Sequence, residues 1–407
     1  MFLRQRLVRE VCLLANKRGN ERGVALIMAL LVVALLTITV TEFFFSVEID
    51  ARMARNSVHS LQAALLARSG ISLGEALLMQ DQDPLTDSFL EEWCPLQARE
   101  GRACQIDDGG GFIALPPNSR LRVEIWDESG KINVNLTRPQ TQAEWRAGRL
   151  NPNPEQAPQR YQSWLFALGR VMDSRTDAIT ALDDYWNQLF EFYFGPLTNP
   201  AGGGATPTAG TSAAQTPGLM ATPPPLTTLY FGSLDEVTAV PGFLTAGELR
   251  RYRAFLTAFA WPFPSQVNAN TAPREVLTAI IGDAQVVEEI VQQRQTQVLQ
   301  ASNVLALITT ASTNQDPLYR NARMMLGARS NVYSIRATAI VNMNPMTGTG
   351  GISRSAEMLV RRDPKQVQPG TAGGTVTRWK LTRLYWQKDA GAVLFRPEFG
   401  SSDSNEL

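Results

Sequence analysis

Four aspartates lie close together in the middle of the chain, where their carboxylates could share a cation. They are Asp173, Asp177, Asp183 and Asp184. Carboxylate oxygens are the ligands that hard cations such as calcium prefer. The alternative is an acidic patch without metal, because the N-terminus of a helix itself favours negative charge. The spacing predicts one or the other.

Other kinds of reactive site find no support in the sequence. The chain has a single histidine, His59, which excludes a histidine metal cluster and disfavours a Ser-His-Asp triad. It contains no Walker sequence and no nucleophile elbow. We therefore predict that the protein is not an enzyme. Lysine plus arginine equals aspartate plus glutamate at 38 each, so no surplus of positive charge indicates nucleic-acid binding.

The three cysteines lie on two sides of an apolar run. Cys12 precedes it, whereas Cys94 and Cys104 follow it. Export of the following part into an oxidising compartment predicts a disulfide between Cys94 and Cys104, with two free thiols as the alternative. Closing so short a loop is worth about 2.8 kcal/mol in the chain-entropy model, enough to hold a loop in place.

The apolar run itself predicts a membrane-spanning helix. Residues 24–40 carry no charge and would cover about 26 Å as a helix, and Phe43–Phe45 and Val47 extend it. The run is too long for a cleaved signal peptide, and no small-residue site closes it. Positive charge on a short flank stays cytoplasmic, so everything after Val47 is predicted to lie outside the cytoplasm. The basic residues before the run are Arg4, Arg6, Arg9, Lys17, Arg18 and Arg22.

Periodicity predicts one long helix and one antiparallel sheet. The helix should run from about Val24 to Met79, and its outer half should pack on a soluble domain. The predicted stripe consists of Val58, Leu61 and Leu65, continued by Ser69 and Ser72 and flanked by Leu66, Leu73 and Leu77. Alternation at 121–126 and 132–136 around the turn at 127–130 predicts a β-hairpin. Three later strands are predicted at 332–341, 353–360 and 376–386.

The segment between the two strand groups is predicted to be helical. It contains a charge-free stretch at 196–225, rich in Gly, Pro, Thr and Ala, which predicts a mobile loop. The tail after Lys388 is predicted to be disordered. The expected helices are 161–172, 176–194, 245–259, 273–281, 284–297, 301–308 and 318–326.

The junction before the apolar run resembles the leader of type IV pilins and type II secretion pseudopilins. Gly23 follows Glu21 and Arg22 directly, and the next residue opens the helix. The resemblance implies cleavage after Gly23 by a prepilin peptidase and methylation of the new N-terminus at Val24. Most such subunits have glutamate at the fifth mature position, where this chain has Met28. A plain signal-anchor helix with an incidental glycine is the alternative.

Three motifs, in order, resemble the large minor pseudopilin K of type II secretion systems, the family that lacks this glutamate. They are Asp127–Asn135, Leu234–Gly242 and Val267–Pro273. The resemblance implies an α+β, pilin-like fold, in which a long N-terminal helix packs on an antiparallel sheet and a large all-helical domain is inserted. The expected organisation is a leader at 1–23, a spine helix at 24–80, a pilin-like domain at 81–137 plus 330–389, a helical insertion at 138–329 and a tail at 390–407.

The resemblance also implies a place of action. A minor pseudopilin of this family sits in the bacterial inner membrane with a periplasmic C-terminal domain, at the tip of the pseudopilus. Implied partners are minor pseudopilins I and J, the major pseudopilin, the prepilin peptidase and the inner-membrane assembly platform. The family's helical domain is known for calcium sites, and the matching stretch here is Asp184–Asn187. The glycine and glutamate expected shortly after it are missing.

Two stretches also resemble helix-hairpin-helix modules that bind DNA phosphates. They are Val240–Phe243 and Asn268–Leu277. The alternative hypothesis is therefore an exported, membrane-anchored DNA-binding protein, although the hairpin would normally continue Pro-Gly-hydrophobe-Gly, and here Leu244 and Thr245 follow Phe243 without a glycine. The structural interpretation of the second stretch is that Asn270 or Thr271 caps a helix that starts at Pro273. Asn133 and Asn135 either contact a partner or close local turns.

Overall fold

The computed structural model describes most of the chain, in two compact units. The units are Met1–Gln62 and Ala63–Leu407. Both the loop predicted at 196–225 and the tail predicted at 390–407 lie outside the described residues. Backbone alone is described for 2–22, 310–311, 364–369, 375–379 and 385–388. The described residues are 2–81, 83, 85–94, 103–106, 112–116, 118–150, 159–195, 230–259, 266–311, 322–344, 350–369 and 375–388.

The fold class is the predicted one, with a long N-terminal helix, an antiparallel sheet and further helices. The described helices are α1 (Phe2–Gln80), α2 (Gln142–Arg149), α3 (Arg160–Val171), α4 (Thr176–Phe194), α5 (Ala246–Tyr252), α6 (Arg274–Ile281), α7 (Ala284–Gln293), α8 (Ala301–Ala311) and α9 (Ala322–Met325). The strands are β1 (Cys104–Ile106), β2 (Ile113–Leu115), β3 (Ser119–Asp127), β4 (Ile132–Asn133), β5 (Leu256–Thr257), β6 (Val267–Asn268), β7 (Leu326–Gly327), β8 (Val332–Val341), β9 (Ile352–Pro369) and β10 (Thr375–Lys388).

Helix α1 begins well before the predicted start at Val24. The basic leader contains no proline and is rich in good helix formers, so its backbone continues the helix. Within the apolar part, the hydroxyls of Thr37, Thr39 and Thr41 donate to carbonyl oxygens of the preceding turn. These bonds satisfy the hydroxyls inside the helix, which suits a helix surrounded by lipid.

The C-terminal part of α1 packs on the sheet through small residues, and not through the predicted apolar stripe. Val58, Leu61 and Leu65 are all more than half exposed. A Cβ on Gly70 would lie 2.8 Å from the Cβ of Ala337, and one on Gly74 would lie 2.6 Å from Ile335. Close approach of helix and sheet at these two positions therefore requires residues without bulk. The stripe prediction was wrong for Val58, Leu61 and Leu65, whereas the flanking Leu66 and Leu77 do pack against the core of the sheet.

Within the described residues the sheet has six strands, in the order β1-β3-β8-β9-β10, with β2 also pairing with β3. All pairs are antiparallel, and β8 pairs with β9 over its whole length and with β3 over residues 333–340. Alternate residues of the central strands face α1 and form one core with Ala67, Ile71 and Leu78 of the helix. The members from the central strands are Leu121, Val123, Ile125, Tyr333, Ile335, Ala337, Ala339, Ala356, Met358 and Val360.

The hairpin predicted at 121–136 is wrong. Residues Glu128–Gly130 form a 3-10 turn whose start is capped by the Asp127 carboxylate, and the chain then leaves the sheet. Strand β4 pairs in parallel with β5 of the helical part, while β3 pairs with β8. Ile132, Val134 and Leu136 consequently pack in the helical core. Alternation showed that these residues were buried, but not which element covered them.

The helical part has its own large core, centred on aromatic side chains such as Trp164, Trp186 and Phe231. Helices α3, α4, α6, α7 and α8 begin within one residue of their predicted starts. Helix α5 ends at Tyr252, before its predicted end at Phe259, because β5 pairs with β4. Helix α2 was missed, although Thr141 and Glu144 mark its N-cap.

Candidate functional site: an apolar helix and a buried polar junction

The first candidate site is the apolar surface of α1. The stretch Gly23–Gln80 is long and apolar enough to cross a membrane, and none of its most apolar window is buried. Val24 and Met28 are mostly exposed, and a side chain at Gly23 would meet open space. The predicted cleavage and fifth-position residues thus lie on a helix surface that no described part of the protein covers.

Sequence reasoning missed a regular seam on this helix. Seven residues between Val40 and Leu61 recur at alternating steps of four and three, the spacing of the buried positions in a left-handed coiled coil. Every one of them is exposed in the first unit. A second helix could therefore bury the whole seam at once. The seam consists of Val40, Phe44, Val47, Ala51, Ala54, Val58 and Leu61.

The second candidate site is a buried polar junction between the sheet and the helical part, with Asp127 at its centre. Its carboxylate ends β3 and accepts hydrogen bonds from the backbone of Ser129 at 2.8 Å and from the Asn268 amide at 3.3 Å. The hydroxyls of Thr271 and Ser330 also donate to it. Burial raises the pKa of this carboxyl, and the hydrogen bonds from Ser330, Thr271 and Ser129 counteract that effect only in part.

Asn268 connects the junction to the loop that follows α1. Its amide nitrogen donates to the Asp87 carbonyl at 2.8 Å and to the Ser330 hydroxyl at 2.7 Å, and its oxygen accepts from the backbone of Asn270 at 3.0 Å. The side chain is fully buried. The motifs at 127–135 and 267–273, far apart in sequence, therefore bond directly to one another.

Asn135 extends this connection into the helical part. Its amide nitrogen donates to the carbonyls of Phe231 at 2.9 Å and Phe259 at 3.0 Å, and its oxygen accepts from the Phe231 backbone at 2.7 Å. Asn133 closes a local turn by accepting from the backbone of Asn135 at 3.0 Å. The local-turn prediction is thus right for Asn133, whereas Asn135 holds two distant segments together.

The helix-cap prediction at the third motif is wrong. The N-cap of α6 is Pro273, which offers no side-chain hydrogen bond. Asn270 instead bonds the backbone nitrogen and oxygen of Leu299, each at 2.9 Å, and Thr271 donates to Asp127. Both polar side chains are used for tertiary contacts.

Arg362 fastens the end of α1 to the sheet. This arginine of β9 is fully buried, forms ion pairs with Asp81 at 2.6 Å and with Asp87, and donates to the Leu78 carbonyl at 3.2 Å. It also donates to the Tyr333 hydroxyl at 2.9 Å. Burial lowers the pKa of the guanidinium to about 10, so it stays charged at neutral pH. Its charge lies where a helix C-terminus favours a cation.

Asp81, Asp87 and Glu91 are the acidic group whose ligand atoms come within 4.8 Å of one another in the described part of the chain. Arg362 already supplies positive charge to Asp81 and Asp87. Glu91 accepts from the Trp93 indole at 3.0 Å, and burial, followed by the charge of Asp81, raises its pKa to about 8. The sequence did not predict this cluster, because no sequence pattern indicates that Arg362 lies next to the loop that carries Asp81, Asp87 and Glu91.

The raised pKa of Glu91 predicts a pH dependence of stability. The folded state binds the proton more tightly than the unfolded state, so Glu91's contribution is full below about pH 4.5 and is lost as pH rises through about 8. We expect the free energy of unfolding to fall by roughly 3–5 kcal/mol over this range and Glu91→Gln to abolish most of the fall. Denaturant unfolding at about pH 5 and about pH 9 measures it. An equal fall in the free energy of unfolding between these two pH values for the wild type and for Glu91→Gln would contradict the role of Glu91.

The structure does not bring the four predicted calcium ligands together. Asp173 accepts from Arg251 at 3.0 Å and from the Tyr252 hydroxyl at 3.2 Å, while Asp177 pairs with Arg175 at 2.9 Å. Asp183 accepts from Asn187 at 3.2 Å, and Asp184 is exposed.

The stretch that matches the family's calcium segment is also engaged elsewhere. The Asn187 oxygen accepts from the Trp145 indole at 3.1 Å, so it points into the protein. This donor set does not fit a shared cation. Calcium binding stays a prediction that the arrangement disfavours.

Three arginines near the Val240–Phe243 hairpin, Arg175, Arg251 and Arg253, are paired with carboxylates. Arg253 pairs with Asp235 at 3.3 Å, and Arg175 pairs with Glu248 as well as Asp177. Phosphate binding requires cationic groups that are available to the nucleic acid. The surface at this hairpin therefore disfavours the DNA-binding alternative.

The predicted disulfide between Cys94 and Cys104 is present. The two Cα atoms lie 5.3 Å apart, and both residues are buried. The bond ties the loop after α1 to β1, next to Trp93, whose ring contacts that of Tyr333. It therefore supports the same loop that Arg362 binds through Asp81 and Asp87.

Comparison with known proteins found similarity to one component of type II secretion systems. No family model matches the chain. Over 126 residues it is 35% identical to type II secretion system protein K of Pseudomonas aeruginosa, a match that covers 29% of this chain and 34% of that protein.

The fold resembles that of one chain in the crystal structure of the GspK-GspI-GspJ complex from the enterotoxigenic Escherichia coli type 2 secretion system. The TM-score is 0.50 at 16% identity, over 83% of this chain and 99% of that chain. The resemblance to minor pseudopilin K that the leader and the motifs predicted is thus confirmed in sequence over part of the chain and in fold over most of it.

Proposed function

We propose that this protein is a minor pseudopilin of a type II secretion system, acting by assembly and not by catalysis. It would occupy the tip of the pseudopilus and start fibre assembly for the export of folded proteins across the outer membrane. The observation that carries the proposal is the 35% identity to type II secretion system protein K. An exposed apolar helix alone would fit any membrane-anchored protein.

Two features of the chain support the tip position. The helical part is large, with a core of its own, and such a bulky domain is hard to accommodate along the shaft of a tightly packed fibre. A carboxylate in lipid is costly unless it is paired, and the uncharged Met28 offers none to a subunit above it. Both features favour the top place, which has no neighbour above.

The orientation follows from charge. Six basic residues precede the apolar run, so the N-terminus is expected in the cytoplasm and the disulfide-bearing unit in the periplasm. Partners of the helix would be minor pseudopilins I and J, since the solved structure that shares this fold is named as a complex of K with I and J. The major pseudopilin, the prepilin peptidase and the assembly platform would act on the same helix.

The seam on α1 provides the test of assembly. Leu61→Glu would place a charge in the seam, at its C-terminal end, while the protein's own fold is unaffected, because Leu61 is exposed. We expect co-purification of pseudopilins I and J from membranes to fall at least about tenfold, as for an unpaired charge in an interface. Gln62→Glu, on the next residue outside the seam, is the control. Unchanged co-purification with Leu61→Glu would remove the seam from the interface.

Processing is tested at the leader. Gly23→Leu is expected to leave the leader uncleaved, because the peptidase that the resemblance implies accepts a small residue there. Intact mass and N-terminal sequence of protein from the membranes of its own host measure it, with N-methyl-Val24 expected for the wild type and Met1 for the variant. A Met1 start in the wild type would make the protein a signal-anchor protein.

A further inference from the structure

The two edges of the six-stranded sheet differ in how far they are open to pairing with a further strand. The outer edge of β3 is covered by β1 and β2, each only three residues long. At the other end of the sheet, β10 is 14 residues long, and no strand in the described part of the chain pairs with its outer edge. A long free edge presents backbone N–H and C=O groups that another strand can bind.

The geometry of β10 leaves two regular stretches for such pairing. Its register with β9 shifts between Thr377 and Trp379 and again between Arg383 and Tyr385. Between the shifts runs Trp379–Arg383, and after them Tyr385–Lys388. Each stretch approaches the length of an ordinary strand of about five residues. An added strand of this length is therefore compatible with the irregularities.

The charge of β10 narrows the kind of strand that can bind. Its sequence carries four basic residues and no acidic one. Lys380 is exposed, whereas Arg383 pairs with Glu75 of α1 at 2.8 Å. A second copy of this edge would bring like charges opposite each other, which is destabilising, whereas an acidic strand would be stabilised. The basic residues are Arg378, Lys380, Arg383 and Lys388.

We propose that the outer edge of β10 binds an extended, acidic segment of a partner protein as an additional strand. Backbone hydrogen bonds supply the affinity in this mode of recognition, and alternate side chains supply the specificity. The proposal rests on the sheet edge and its charge alone. It therefore stands or falls independently of the tip role proposed for the helix.

The test uses the full chain in detergent and a fluorescein-labelled nine-residue peptide of alternating threonine and glutamate. Fluorescence anisotropy is expected to show saturable binding. The same peptide with lysine in place of glutamate, and the same peptide with every backbone nitrogen methylated, should not bind. Lys380→Glu should weaken binding of the acidic peptide by about 3- to 10-fold. Arg120→Glu on β3, also exposed but on a strand that is paired on both sides, should leave it unchanged.

Four results would overturn the proposal. Equal binding of the methylated peptide would reduce the contact to charge attraction, and equal binding of the lysine peptide would remove the charge preference. Binding that appears only after truncation at Lys388 would make the chain's own C-terminal segment the occupant. Absence of binding to both the full and the truncated chain would show that the edge accepts no acidic strand.

Discussion

Arg362→Leu is expected to lower the free energy of unfolding by about 3–5 kcal/mol, because removing one partner of a buried ion pair leaves the other charge uncompensated. Arg362 is fully buried, and its removal would strand two carboxylates, Asp81 and Asp87, in the same pocket. The Leu78 carbonyl at the end of α1 would also lose its donor. The end of the helix and the loop after it should loosen together.

Denaturant unfolding of the full chain in detergent measures this effect, and limited proteolysis reports on the loop at 81–94. Arg383→Leu is the matched control, since it breaks an arginine–carboxylate pair with α1 on the neighbouring strand, and that arginine is largely exposed. Exposed pairs contribute about 0–1 kcal/mol. If the two variants lost equal stability, the buried cluster would not be what holds the helix end.

Asp127→Leu is expected to cost about 3–5 kcal/mol as well, by a different route. Four donors would lose their acceptor, and each unsatisfied buried donor costs about 1–3 kcal/mol unless it can reorient. The donors come from the 3-10 turn, the 267–273 motif and Ser330, so the loss falls on the contact between sheet and helical part. Proteolysis within the helical part should therefore accelerate.

Asp127→Asn removes the charge of this side chain but keeps an oxygen that can accept hydrogen bonds. Burial raises the pKa of Asp127, so a neutral side chain of the same shape should cost clearly less than leucine. Thr338→Val, which removes a 2.9 Å hydrogen bond to Ser355 on the other face of the sheet, is the control and should cost about 1 kcal/mol. A loss for Asp127→Leu no greater than that of the control would show that the junction does not hold the two parts together.

The apolar seam of α1 is exposed, whereas the polar junction around Asp127 is buried. Motifs that identify minor pseudopilin K by resemblance, at 127–135 and 267–273, are used in this chain for internal contacts. They are not a surface for a partner or for DNA. The surfaces proposed for association, the seam of α1 and the outer edge of β10, lie outside these motifs.

The sequence by itself determined the features that depend on neighbouring residues. The charge-free run and its basic flank predicted the membrane helix, helical periodicity placed the starts of α3, α4 and α6–α8, and the two exported cysteines predicted the disulfide. These are local properties, since side-chain periodicity and covalent reach act over a few residues or a short loop.

Only the tertiary structure decided which buried residue meets which. Alternation at 132–136 gave no sign of pairing with Leu256, and Arg362 lies 275 residues from Asp87 in sequence. The apolar stripe at Val58, Leu61 and Leu65 is exposed because the sheet requires the small face of α1 with Gly70 and Gly74. The sequence pattern around a residue indicates whether its side chain is buried. Which residue it contacts depends on how two distant chain segments pack together.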